Sequence, residues 1–110
     1  MNAAETPKVQ HWGYDFTCWT SIEDMLATFN AAGPWRWVMG DSDVYGFYPR
    51  CRPSESSRIA VYNEAELRTG SRRRSHFWAE LYSEPEARPE IDQHFRALLQ
   101  RVKARDITES

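Results

Sequence analysis

Near the start of the chain the spacing of apolar residues changes once, and the change marks two elements. Trp12, Tyr14 and Phe16 alternate with His11, Gly13 and Asp15, the period-two pattern of a half-buried strand. From Ile22 the period lengthens, and Ile22, Met25, Leu26 and Phe29 share one side of a helix. Thr20 and Glu23 stand at capping-box spacing, the hydroxyl accepting from an early backbone N–H while the carboxylate reaches back. Gly33 can take the left-handed conformation that closes a helix, and Pro34 cannot continue one. The helix is expected over 21–32.

After Pro34 the period returns to two. Trp35, Trp37 and Met39 alternate with Arg36 and Val38, Gly40 to Asp43 has turn composition, and Val44 to Cys51 reads as the returning strand. Residues 35–51 are thus expected as a hairpin. Arg58 to Tyr62 is a short strand around Ile59 and Val61. Asn63 to Ser71 is a polar connection, with Thr69-Gly70-Ser71 expected as its most mobile part. Arg73 to Tyr82 reads as the last strand, with Phe77, Ala79 and Leu81 on one face and His76, Trp78, Glu80 and Tyr82 on the other.

A second helix is expected from Pro89 to Lys103. Proline suits the first turn, where its missing N–H leaves nothing unpaired. Ile91, Phe95, Leu98, Leu99 and Val102 form the apolar stripe, with Glu90 and Asp92 at the positive end and Arg101, Lys103 and Arg105 at the negative end. The order strand, helix, four antiparallel strands, helix predicts an α+β two-layer sandwich. It would form one domain over 9–105, with a disordered lead (1–8) and a flexible tail (106–110).

Composition agrees with one globular domain. The 110 residues are 41% hydrophobic and 27% charged, and five tryptophans supply large buried area per residue. No window approaches a membrane span, and the beginning of the chain lacks the apolar stretch of a signal peptide. Two cysteines, Cys18 and Cys51, are few for a disulfide scaffold, so free thiols and a cytoplasmic location are expected, with pairing between the two left open. The net charge of −2 argues against a general nucleic-acid binder. It is unevenly spread, however. Residues 1–33 carry one lysine against four acids, whereas 34–74 carry eight arginines against five acids.

Catalytic and cofactor patterns are missing, so neither a metal nor a cofactor is expected. His11, His76 and His94 fall on three elements with no metal-ligand spacing. Cys51 lies between Arg50 and Arg52, but strand neighbours point to the opposite face, which makes a buried structural thiol the better reading. Asp41-Ser42-Asp43 suits a turn better than a carboxylate pair. Gly40 and Gly46 open no helix that could cradle a phosphate.

What stands out is Arg72-Arg73-Arg74 followed by Ser75-His76-Phe77-Trp78, a cluster that Arg68, Arg50, Arg52 and Arg58 could join. Guanidinium forks hold carboxylates or phosphates and stack on rings such as Trp78, Tyr62 and Tyr48. The leading expectation is a non-enzymatic module that binds a protein partner, an acidic one included, through Arg72, Arg73, Arg74, Trp78 and Tyr82. RNA or a nucleotide-containing ligand on the same surface comes second. A small-molecule-binding sheet or small enzyme comes third. Trp78, Tyr82 and Tyr48 together would also suit a homodimer.

The order helix, strands, helix resembles that of the double-stranded-RNA-binding domain. That family grips phosphate with a lysine-rich start to its second helix, whereas the stretch here, Glu84-Pro-Glu-Ala-Arg-Pro-Glu90, is acidic, so the function does not carry over. Cystatin-like sheets and small bacterial immunity proteins or adaptors are mixed folds of similar size. None matches by motif, and no family is claimed.

Overall fold

The computed structural model describes residues 9–64 and 73–110. Strand β1 (Gln10–Thr20) leads into helix α1 (Ile22–Ala32). Strands β2 (Trp37–Ser42), β3 (Gly46–Ser54), β4 (Ser57–Asn63) and β5 (Arg73–Ser83) follow, then helix α2 (Arg88–Arg101) and a sixth strand, β6 (Arg105–Glu109). The strands form one antiparallel sheet in the order β2-β3-β4-β5-β1-β6. The fold is α+β, with both helices on one face of the sheet. No helix among the described residues is long and apolar enough to cross a membrane.

The alternation read in the sequence decides which face is covered. Trp12, Tyr14, Phe16 and Cys18 of β1, Ile59 and Val61 of β4, and Phe77, Ala79 and Leu81 of β5 are all buried. They meet Ile22, Met25 and Phe29 of α1 and Ile91, Phe95, Leu98 and Leu99 of α2. Phe95 lies at the centre, its ring 5.9 Å from Tyr14, 6.4 Å from Phe29 and 6.5 Å from Trp37. Each such fully buried side chain contributes roughly 1.5–3 kcal/mol, so this shared core, not helix propensity, is what holds the short helices in place.

Four expectations shift. The cap of α1 is Ser21, whose side chain accepts from the Asp24 backbone N–H at 3.0 Å, while the Thr20 hydroxyl donates to the Ser21 carbonyl. The cap therefore lies one residue beyond the expected position. Gly33 does close the helix at a φ of 47°. The hairpin turn is Asp43–Tyr45, not Gly40–Asp43. The Ser42 hydroxyl there accepts from the Val44 and Tyr45 N–H groups, and Gly40 and Asp41 stay in β2. Within 106–110, expected as a flexible tail, residues 106–109 belong to β6 (Arg105–Glu109), which pairs with β1, so β5 is not the last strand. Every residue of β6 is exposed, so it carries no hydrophobic pattern. It is held instead by backbone pairing and by Glu109, which meets Arg88 at 3.1 Å and Arg96 at 3.3 Å.

Finally, the two cysteines are free and buried. They sit on β1 and β3 with two strands between them, roughly 14 Å at the usual strand spacing and beyond the ~7 Å that a disulfide spans. The connection after Asn63, including Thr69-Gly70-Ser71, lies outside the described residues beyond Glu64.

Candidate ligand-binding surface

The helices cover one face of the sheet and leave the other open. On it stand the alternate residues of each strand, and the register arranges them in rows across the sheet. One row runs Tyr82–Arg58 and continues to His11 on the far side of Tyr82. A second runs Val38–Arg50–Ala60–Glu80–Gly13. A third includes Tyr48 opposite Gly40 and Tyr62–Trp78–Asp15. Arg36 precedes Trp37 and Arg52 follows Cys51, the pair that begins the β2–β3 register, and both arginines border the groove described next.

At Ala60, in the second row, the surface sinks. A groove of about 540 Å³ lies over Ala60, bordered by Tyr48, Tyr62 and Tyr82, with Arg36, Arg50, Arg52, Arg58 and Glu80 around it. The tyrosine positions are fixed by their neighbours. Tyr62 packs against Tyr48 at 4.8 Å and Trp78 at 5.6 Å, and Tyr45 closes on both Tyr62 and Trp78 at about 5 Å. Tyr82 is stacked on His11 at 4.3 Å, and the Arg58 guanidinium lies over its ring at 4.4 Å. Gly40 has a packing reason: a Cβ there would fall 2.5 Å from the Tyr48 ring. Burial raises the Tyr62 pKa, with Glu80 and the three neighbouring tyrosines adding to it, so this hydroxyl stays protonated and able to donate.

The charges on the two faces are handled differently. On the helix side Arg96 meets Asp92 at 3.2 Å and Glu109 at 3.3 Å, and Arg88 meets Glu109. Around the groove, Arg36, Arg50 and Arg52 make no ion pair or side-chain hydrogen bond among the described residues. Like charges held close repel, and Arg36 and Arg52 both border the groove. An anion bound between them would relieve the repulsion.

Toward the far end of the open face two carboxylates hold a histidine. His76 lies between Asp15, 2.9 Å from its Nε2, and Glu64, 2.8 Å from its Nδ1. Burial works against its charged form, but hydrogen bonds and charge from Glu64 and Asp15 prevail and raise its pKa. Among the described residues no group of three or more histidine, cysteine or carboxylate side chains is placed to hold a metal ion. Burial pushes the Cys51 thiol up to about 12 and raises that of Cys18, which donates to the Val102 carbonyl at 3.0 Å. Neither thiol is a ready nucleophile.

No protein-family model matches the chain, and no curated protein matches it.

The residues singled out in the sequence divide. Trp78 and Tyr82 stand half-buried on the open face. Arg74 is exposed and opposite Trp19, itself 56% exposed, near the other end of β5. Eight residues separate Arg74 from Tyr82, roughly 26 Å of strand, so Arg74 does not join Tyr82. Arg73 begins β5 opposite Thr20, and Arg72 lies outside the described residues. The guanidinium groups that do gather at Tyr82 and Tyr62 are Arg50, Arg52 and Arg58, with Arg36 added. Arg36 was legible from alternation alone, since it shares parity with Val38. Tyr45 was not, because its place depends on where the turn falls.

Proposed function

We propose that this chain is a non-enzymatic binding module whose open sheet face holds a nucleotide-containing ligand. The observation that carries this reading is the set of guanidinium groups of Arg36, Arg50 and Arg52, without a partner among the described residues, beside tyrosine rings around Ala60. Guanidinium forks suit phosphate, and aromatic faces suit a base. The groove volume also falls in the range of small-ligand sites. The reading keeps the protein in the cytoplasm. An NMR titration with the four nucleoside 5′-monophosphates tests it, and the expected amide shifts centre on Tyr48, Ala60 and Tyr82. Shifts confined to the helix side, or none with any of the four, would overturn it.

An acidic protein partner is the second reading. It is favoured by the exposed apolar residues Val44, Tyr45 and Phe47 at the β2–β3 hairpin. An Asp/Glu-rich peptide added in the same titration separates the two, since only this reading expects it to compete with the nucleotides.

A further inference from the structure

Around the groove one carboxylate faces four arginines. Arg36, Arg50, Arg52 and Arg58 stand on or beside β2, β3 and β4, whereas Glu80 stands on β5 and Asp15 beyond it on β1. Glu80 is two strands from Arg50, roughly 10 Å at the usual spacing. We infer that the groove recognises a terminal phosphate, so that its ligand is a mononucleotide with its monoester group between Arg36 and Arg52 and its ring toward Tyr82. This rests on the nucleotide reading above and narrows it.

The charge layout carries the argument. A phosphomonoester brings close to two negative charges near neutral pH, its second pKa being about 6, and meets several guanidinium groups at one end of the groove. The internal phosphates of a longer strand crossing the groove would pass Glu80, where like charge repels them. Glu80 suits the other end of a mononucleotide instead, because a carboxylate accepts from ribose hydroxyls or a base amino group. Arg36 and Arg52, which both line the groove next to the paired Trp37 and Cys51, gain most from a dianion, because one ligand group neutralises both.

The test compares uridine 5′-monophosphate, uridine, inorganic phosphate and an eight-residue oligouridylate with hydroxyl ends, by calorimetry at pH 7.5 and 5.5, choosing whichever base the four-nucleotide titration shows to bind best. The monophosphate is expected to bind at least about tenfold more tightly than uridine or the oligomer, each factor of ten being one good charged contact. Its affinity is expected to fall at the lower pH as the phosphate takes up a proton. Arg36→Ala and Arg52→Ala alter exposed residues and are expected to erase the preference for the monophosphate. Glu80→Lys is expected to raise oligomer affinity. An oligomer that binds the wild type as tightly as the monophosphate would overturn the terminal-phosphate inference and leave the nucleotide reading standing. Absence of binding by every nucleotide probe would remove both.

Discussion

Asp92 offers the strongest structural test of how the helix layer is fixed to the sheet. Its carboxylate accepts from the Trp12 indole N–H at 3.0 Å, from the Tyr14 hydroxyl, and from Arg96 Nε at 3.2 Å. Trp12 is 4% exposed and Tyr14 fully buried, so Asp92→Ala leaves an indole N–H and a phenol O–H without their acceptor. Each stranded donor costs about 1–3 kcal/mol. Arg96 donates to the Tyr14 oxygen at 3.0 Å and so offers neither stranded donor an acceptor, but Asp92 is 24% exposed, so water recovers part of the loss. A total near 3 kcal/mol is expected, which lowers Tm by more than about 10 °C in a domain near this size. Asp92→Asn keeps one acceptor oxygen and should lose less.

The pH dependence has a definite sign. Burial alone would raise the Asp92 pKa, but hydrogen bonds from Tyr14, Trp12 and Arg96, with the Arg96 charge, lower it below its ordinary 3.8. A carboxyl held low in the folded state stabilises fully above its unfolded value and loses that contribution as pH falls through the folded one. Urea unfolding followed by tryptophan fluorescence should show the midpoint falling with the slope unchanged. The gap between wild type and Asp92→Ala should narrow in acid. A loss below about 1 kcal/mol at pH 7, the level of an exposed ion pair, would refute the reasoning.

Three further outcomes are expected. His76 should titrate above its ordinary 6.5 by NMR, so its stabilising contribution is complete below the unfolded value and fades as pH rises through the folded one; Asp15→Asn and Glu64→Gln should each bring it down, and an unchanged value in both would contradict the pairing. Cys18 and Cys51 should resist a thiol reagent in the native protein and react only in denaturant, since both are buried and Cys51 is pushed up to about 12; rapid native labelling would contradict this. Ser21→Ala should cost about 1 kcal/mol as the loss of an N-cap, whereas Glu23→Ala should stay within about 0.5 kcal/mol as a surface change; the reverse order in urea unfolding would restore the capping box on Thr20.

The sequence made most of the fold legible because burial imposes periodicity. Phe77, Ala79 and Leu81 face the core for the same reason that they alternate, and Ile91, Phe95, Leu98 and Leu99 recur at helical spacing because only one side of the helix meets the sheet. β6 was hidden because a strand whose five residues are all exposed has no apolar pattern to read. The start of α1 differed by one residue because Thr20 and Ser21 are both competent caps, and backbone geometry alone chooses between them. The site was half legible. Parity placed Trp78 and Tyr82 on the open face, but sequence proximity favoured Arg72–Arg74, whereas strand register gathers Arg50, Arg52 and Arg58 from distant segments.

The most direct test of the central claim is a calorimetric titration of wild type and an Arg50→Ala/Arg58→Ala variant with the best-binding nucleoside 5′-monophosphate. Both arginines are exposed, so unfolding curves of the two proteins should be close. The account predicts saturable one-to-one binding to the wild type, weakened at least about tenfold in the variant. Equal affinity in the two proteins, or no heat of binding in the wild type, would contradict it.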